Sequence, residues 1–269
     1  MTMMLAPDLL DRRALALIAQ VDPFGRPVLA PVSVAAPGVR VIAKREGRIA
    51  VLEAPGFAGH VAAFAAPPAA PALRSRSVVL DLTPAAAGLL PRRFVLRLPR
   101  NPDPLLREDP LSLFQPEAVE LSASPRVRAD GYSCILRVSV RRGSDGARVE
   151  NALVRARSAD SAFAAWALTD AAGEAALVFP ALPVSFAGPG GTTSARIAAS
   201  VVVHADPASA RFSDPERLTE ARRAAAARTE GHADPDAVAA ANPPDFDAGA
   251  SVQLAAGTQP AIALQWTAP

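Results

Sequence analysis

The sequence predicts an all-β protein made of two antiparallel β-sandwich domains, with one short helix inserted in the second domain. Two observations carry this prediction. Residues 132–180 have the pattern of consecutive short strands and turns, with no helical periodicity between them. The 27 prolines and 16 glycines are spread along the whole chain, as is typical of proteins with many short strands. At 269 residues, the chain is long enough for two domains, each with its own core.

The first strand of residues 132–180 alternates along its length, which predicts one buried face, formed by Tyr132, Cys134, Leu136, Val138 and Val140. Asp145 and Gly146 then predict a hairpin turn, because both residue types tolerate a positive φ. Further strands follow on both sides of a second turn at Asp170–Gly173. This spacing predicts an antiparallel meander or a Greek key.

Three short motifs in this segment resemble one known family. They are the turn at Asp145 and Gly146, the strand entry at Ala152–Val154 and the turn at Thr169–Gly173. Together they resemble the carboxypeptidase-regulatory-like, or transthyretin-like, β-sandwich over about residues 130–180. The resemblance implies an immunoglobulin-like or transthyretin-like fold for the second domain. A looser echo of the same order of turns and strands around Gly25 to Gly47 predicts a related sandwich for the first domain. It implies no reaction, because such modules serve as accessory, adhesive and assembly domains alike.

The first domain is predicted to span residues 1–98. Its first strand is predicted to face inward with Leu15, Leu17 and Val21, and a proline-containing turn at Asp22–Gly25 leads to a valine-rich strand. The two strands that complete the domain are predicted to bury alternate apolar residues, namely Val78, Leu80, Leu82, Phe94, Leu96 and Leu98.

A long loop is predicted at residues 54–76, where alanine, proline and glycine dominate. Long loops carry function more often than short ones do. Phe57 and Phe64 are the two aromatic residues of this loop, and the sequence therefore predicts a partner-contact loop at these two residues.

A proline-rich linker, packed against one or both domains, is predicted at residues 99–117, because five prolines oppose regular structure there. Its apolar residues are too many for a free tether. The second domain is predicted at 118–269, with a helical and acidic insertion at about 206–249. The helix is predicted after Ser213–Glu216, which has the residues of a helix N-terminus.

No residue pattern predicts a reaction or a bound cofactor. His60, His204 and His232 are far apart and have no partner at metal-ligand spacing. The acids Asp234, Asp236, Asp245 and Asp247 do not match a calcium-binding loop. No nucleophile elbow or Ser/His/Asp set can be assembled from spacing. We therefore predict a protein that is not an enzyme, without a catalytic, cofactor or metal site.

Charge and leader patterns limit the partners and the compartment. The formal charge is only +2, and the clustered arginines lack interleaved aromatic residues, so we expect no nucleic-acid partner. The single cysteine, Cys134, allows no internal disulfide. The first residues do not match a signal peptide and no membrane span is expected, so synthesis and assembly in the cytoplasm are predicted.

These observations predict a structural or assembly protein that presents loops and strand edges to other protein subunits. A sandwich protein made in the cytoplasm looks like a component of phage-tail-like, contractile injection particles, and such particles can be released from the cell. The alternative is a carbohydrate- or surface-binding accessory module that uses Trp166 or Trp266. Both tryptophans lie in phase with apolar neighbours, which favours a core position and disfavours carbohydrate binding.

Overall fold

The computed structural model describes residues 14–63, 67–128, 131–187, 191–206, 209–213 and 232–267. The strands within these ranges are β1 (Ala16–Val21), β2 (Val32–Ala35), β3 (Arg40–Ala43), β4 (Arg48–Glu53), β5 (Arg76–Pro84), β6 (Arg92–Leu98), β7 (Glu117–Glu120), β8 (Cys134–Arg142), β9 (Arg148–Glu150), β10 (Leu153–Ser158), β11 (Ala164–Leu168), β12 (Glu174–Phe179), β13 (Val184–Ala187), β14 (Gly191–Ser194), β15 (Ile197–His204), β16 (Arg211–Ser213), β17 (Ala250–Leu254) and β18 (Ala261–Trp266). The helices within them are α1 (Ala58–Ala62), α2 (Pro235–Ala241) and a 3-10 helix at Pro104–Leu106. The predicted all-β fold class is confirmed, because strands dominate and form several antiparallel sheets.

The chain divides into two compact units. The first consists of Met1–Gln20, Ala36–Val79 and Val95–Val119, and the second of Val21–Ala35, Leu80–Phe94 and Glu120–Pro269. The proline-rich segment that was predicted as a linker thus belongs to the first unit. Two early segments that the sequence prediction places in the N-terminal domain belong to the second unit. The predicted domains, residues 1–98 and 118–269, are segments expected to fold independently, which a division by contacts does not test. These boundaries therefore stay a prediction.

The second unit contains a β-sandwich. One sheet has the order β12-β8-β9-β16, with β18 paired in parallel to β8, and the other has the order β11-β10-β15-β17. Alternate residues of both sheets form one buried cluster, in which valine, leucine and alanine predominate. Because the chain changes sheet between β9 and β10 and again between β11 and β12, the arrangement is not a simple meander.

A four-stranded sheet of order β3-β4-β1-β7 organises the first unit. β1 pairs antiparallel with β4, from Ala16 opposite Val51 to Ala19 opposite Arg48. The most deeply buried side chains of this unit include Ala16, Ile18 and Val51.

Alternation predicted the buried face of several strands correctly. In β8, Cys134, Leu136, Val138 and Val140 are buried as predicted, although Tyr132, just before this strand, is 68% exposed. The inward residues predicted for β5 and β6 are also confirmed, since Leu80, Leu82, Phe94, Leu96 and Leu98 are buried and Val78 is half-buried.

Leu15, just before β1, is buried as predicted, but the inward face predicted within β1 is wrong in phase. Ala16, Ile18 and Gln20 are buried, whereas Leu17 and Val21 are only half-buried. Apolar residues occupy both faces of this strand, so the period of two does not tell which face is the inner one.

Short helices lie in the predicted loop and in the predicted helical and acidic insertion. Within residues 54–76, α1 buries His60 and Val61. Within the predicted acidic insertion, α2 begins after Asp234, whose carboxylate accepts hydrogen bonds from the backbone N–H groups of Asp236 and Ala237, and Pro235 occupies its first turn. The helix predicted after Ser213–Glu216 lies outside the described residues.

Candidate functional site

Among the described residues of the first unit, the most exposed large apolar side chains lie on residues 99–116, between β6 and β7. We call this segment the apolar loop. Leu105 is 91% exposed, Leu106 47% and Phe114 49%. Isolated exposed leucines are common on protein surfaces. Three such residues on one short segment make it the candidate functional site of the first unit.

A buried arginine organises the apolar loop. The Arg100 side chain is 2% exposed, and its Nη1 forms an ion pair with Glu117. Its Nε donates to the carbonyl of Ser112 at 3.0 Å, and its Nη2 donates to the carbonyls of Pro110 at 2.7 Å and Gln115 at 3.3 Å. The planar guanidinium presents several donors in a fixed geometry, so this one side chain links the beginning of the loop to its end.

Backbone hydrogen bonds also link the beginning of the loop to its end. The N–H of Asn101 donates to the carbonyl of Leu111 at 2.8 Å, and the N–H of Leu113 donates to the carbonyl of Asn101 at 2.7 Å. Asn101 and Ser112 form an isolated parallel bridge. These bonds close the base of the loop, so its tip is held between fixed ends.

Short polar side chains fix the turns of the tip. The Asp103 carboxylate accepts from the N–H of Leu105 at 2.9 Å and caps the 3-10 helix. Asp109 accepts from Leu111 at 2.6 Å, and the Ser112 hydroxyl accepts from Phe114 at 3.2 Å. Local bonds of this kind stabilise turns without a surrounding core. The apolar tip is therefore presented in an ordered conformation.

The apolar loop carries more negative than positive charge. Asp103, Glu108 and Asp109 oppose Arg107 at the tip, whereas the Arg100 charge is buried against Glu117. Arg107 and Glu108 form an exposed ion pair, with side chains 73% and 81% exposed. The loop thus combines an apolar tip with an acidic border.

The predicted partner-contact residues do not form this site. Phe57 is only 1% exposed and packs edge-on against His60, with ring centroids 5.4 Å apart. A buried ring is not available to a partner, so Phe57 is a core residue in this structure. Phe64 lies outside the described residues. The apolar residues of the proline-rich segment could have indicated an exposed apolar loop. From the sequence alone they predict only a linker that packs against one or both domains.

A second arginine anchors the acidic insertion to the second unit. The Arg92 side chain is 3% exposed, and its Nη2 lies 2.6 Å from Asp236 and 3.7 Å from Asp234. Its Nη1 donates to the carbonyl of Glu120 at 2.9 Å, and its guanidinium lies 5.6 Å from the ring centroid of Trp166. These acids thus cap and hold α2.

Glu120 makes this cluster sensitive to pH. Burial raises the pKa of the Glu120 carboxyl, while a hydrogen bond to Trp166 and the charge of Arg92 oppose the shift. A carboxyl with a raised pKa in the folded state stabilises the fold at low pH and loses that contribution as the pH rises through its folded pKa.

We expect Glu120→Gln to raise the melting temperature at pH 7 more than at pH 4, measured by calorimetry. The exposed Glu174→Gln serves as the control, and an equal difference at both pH values would contradict the assignment.

The described histidines and acids do not assemble into a metal site. Among the residues that the structure describes, no three His, Cys, Asp or Glu side chains are grouped to hold an ion. His60 is buried in the first unit, and burial lowers the pKa values of His204 and His232 in the second. Asp245 accepts backbone N–H bonds from Asp247 and Ala248 within its own turn.

The tryptophans do not form an open stacking surface. Trp266 is 6% exposed and stacks on Phe212, with ring centroids 5.7 Å apart. Trp166 is half-buried beside Arg92 and belongs to the cluster that α2 covers. A sugar ring needs an accessible aromatic face, so this arrangement disfavours the carbohydrate-binding alternative.

The second unit has a cavity of about 520 Å³ with a mixed lining that includes Ser124, Thr169, Asp170 and His232. The Ser124 hydroxyl donates to the carbonyl of Ala87 at 3.0 Å, and the Thr169 hydroxyl donates to that of Val149 at 2.7 Å. The Asp170 carboxylate accepts from the N–H groups of Ala172 and Glu174. These groups therefore stabilise local turns and strands.

No helix within the described ranges has the length and apolar character needed to cross a bilayer. No protein-family model matches the chain, and no curated protein matches it. A solved structure, the Bacillus anthracis TIE protein, aligns with 94% of this chain at 9% identity and a TM-score of 0.26. The chain spans 33% of that protein's length. A TM-score this low does not indicate a common fold.

Proposed function

We propose that this protein is a non-enzymatic assembly protein, and that its apolar loop binds other protein subunits. The observation that carries the proposal is the 91% exposed Leu105 on a loop held by the buried guanidinium of Arg100. A connection between β6 and β7 does not need exposed leucines to fold. Their exposure favours contact with a partner, which would remove this surface from water.

The order of the loop also supports a binding role. A flexible segment loses conformational freedom when it binds, and this loss weakens the complex. The apolar loop has much of its backbone fixed in advance by Arg100, Asp103 and Asp109. Its tip therefore binds with less loss of entropy than a free linker of the same composition would.

A place in a phage-tail-like, contractile injection particle is the more specific form of this proposal. It includes assembly in the cytoplasm and release as part of the particle. The β-sandwich in the second unit is compatible with such a component but does not single it out. We expect negative-stain microscopy of material that co-purifies from the producing cells to show particles; protein without particles would count against this form of the proposal.

Removal of the exposed apolar side chains of the loop tests the general proposal. We expect the triple variant Leu105→Ser, Leu106→Ser and Phe114→Ser to lose specifically captured subunits in quantitative affinity purification from the producing cells. Removing apolar anchors from an interface weakens binding by about tenfold or more. The reason is that these side chains supply the apolar area that a partner buries.

The matched control changes exposed apolar residues of the same unit outside the loop. Ile42, Leu73 and Val79 are 36%, 44% and 45% exposed, and each is changed to serine in the control variant. The control is expected to keep the captured subunits. Equal capture by the wild type and the loop variant, with both folded by circular dichroism, would contradict the proposed function.

A further inference from the structure

The second unit has a concave apolar surface that no assigned role explains. This surface, which we call the apolar groove, encloses about 290 Å³ and is lined by Phe24, Val28, Leu29, Leu89, Ala123 and Val127. Leu29 at its edge is 76% exposed. The described part of the chain therefore contains an exposed apolar loop and an exposed apolar groove.

The groove is a built feature of the fold. Asp22 accepts from the N–H groups of Phe24 and Arg26, both at 2.9 Å, and the Arg26 guanidinium lies 4.4 Å from the Phe24 ring centroid. Elsewhere in the lining, the Arg137 guanidinium donates to the carbonyl of Val127 at 2.9 Å. Phe24 and Val127 also pack on a small buried cluster that includes Ala123. Local hydrogen bonds and packing on a buried cluster therefore fix the two segments that carry Phe24 and Val127.

The charges around the groove complement those of the apolar loop. Arg126 and Arg128, the sequence neighbours of Val127, are exposed, and Arg126 also lines the 520 Å³ cavity described above. Arg26 and Asp22, which line the groove itself, pair with each other. The flanking charge is therefore positive, whereas the tip of the apolar loop carries Asp103, Glu108 and Asp109 against one arginine. Complementary charge steers association and selects the partner.

We propose that the apolar groove of one copy receives the apolar loop of a second copy of this chain. A cavity of about 150 Å³ can hold a benzene-sized apolar group, so the groove has room for one or two side chains such as those of Leu105 and Leu106. A loop that enters a different surface of the next molecule makes a head-to-tail contact, and each copy keeps a free loop or groove for further growth. This inference rests on the proposed function and names the partner of the same loop.

Sedimentation velocity of the purified full chain tests the inference. We expect the wild type to associate beyond the dimer between about 1 and 100 µM, the range of weak contacts, and to dissociate as salt is added. Leu105→Glu damages the loop and Leu29→Glu damages the groove, and each adds a negative charge to an exposed position. Each variant alone is expected to associate at least about tenfold more weakly, so that it is monomeric at the low-micromolar concentrations where the wild type already associates.

The decisive measurement is a mixture of the two variants. Leu105→Glu keeps an intact groove and Leu29→Glu keeps an intact loop, so the mixture is expected to form one-to-one dimers and nothing larger. A mixture that stays monomeric while the wild type associates overturns the inference, as does association of either variant alone at the wild-type strength.

A monomeric wild type also overturns the inference, and the capture experiment then decides the proposed function separately. If the serine loop variant still loses its captured subunits, the loop binds a different protein and the proposed function stands. If capture is unchanged, both fail. Co-sedimentation of the monomeric wild type with phosphatidylcholine–phosphatidylglycerol vesicles, lost in Leu105→Glu, would instead assign the loop to a lipid surface.

Discussion

Replacing Arg100 by alanine is expected to destabilise the first unit by about 3–5 kcal/mol, the cost of breaking a buried ion pair by removing one partner. The substitution leaves the Glu117 carboxylate without this guanidinium and leaves the carbonyls of Ser112, Pro110 and Gln115 without their donor. We expect faster amide exchange and faster proteolysis across residues 99–116. Exchange is followed by mass spectrometry, because both tryptophans belong to the second unit and fluorescence does not report on the first.

Arg107→Ala is the control for this experiment. Arg107 lies in the same loop, but its side chain is 73% exposed and its ion pair with Glu108 faces solvent. Exposed ion pairs contribute about 0–1 kcal/mol, so this variant is expected to keep the wild-type exchange pattern. Arg100→Lys tests the geometry, because lysine retains the charge without the planar set of donors. Similar behaviour of all three variants would show that Arg100 does not organise the loop.

Gly173→Ala is expected to destabilise the second unit by about 3 kcal/mol or more, the combined cost of a left-handed residue and of overpacking. Gly173 has a φ of +68° at the turn between β11 and β12, and a Cβ there would lie 2.7 Å from the carbonyl oxygen of Val140 and 3.1 Å from the nitrogen of Val149. Both are backbone atoms in neighbouring strands, so the clash cannot be relieved by a side-chain rotation. Denaturant unfolding followed by tryptophan fluorescence measures the loss.

Gly146→Ala is a matched control, because Gly146 has a φ of +73° and a Cβ there meets nothing within 4 Å. It carries the cost of the left-handed conformation alone, about 1–2 kcal/mol. The difference between the two variants therefore isolates the close approach of the strands at Gly173. Equal losses for the two variants would mean that this approach is relaxed in solution.

The strand pattern could be predicted from the sequence wherever polar and apolar residues alternate clearly. β6 and β8 are examples, since their buried faces are the predicted ones. β1 could not be assigned in the same way, because Leu17 and Ala19 make its outer face almost as apolar as its inner face. Its phase is decided by the partner strands β4 and β7, which a local pattern does not contain.

The helix α2 had a usable signal. Asp234, Pro235 and Asp236 combine an N-cap, a proline in the first turn and an acidic residue near the positive helix end. The same rule predicts a helix after Ser213–Glu216, whereas these later acids were considered only as calcium ligands. The ion pair between Asp236 and Arg92, 144 positions apart, was beyond local reasoning.

The organisation of the apolar loop could not be predicted for a different reason. Three acceptors of Arg100 are backbone carbonyls, which every residue type offers, so the sequence contains no mark of the pairing. The apolar residues alone indicated that the segment is not a free tether. Only the structure shows that Leu105 and Phe114 face outward while the arginine is buried.

Photo-crosslinking from the apolar loop tests the central claim most directly. A benzophenone amino acid placed at Leu105 is compared, in the producing cells, with the same group at Gln253, an exposed residue of β17. We predict discrete crosslinked species of defined mass from position 105, with the crosslinked protein identified by mass spectrometry, and none of these species from position 253. An uncrosslinked protein at both positions, or identical products from both, would contradict the claim that this loop binds protein subunits.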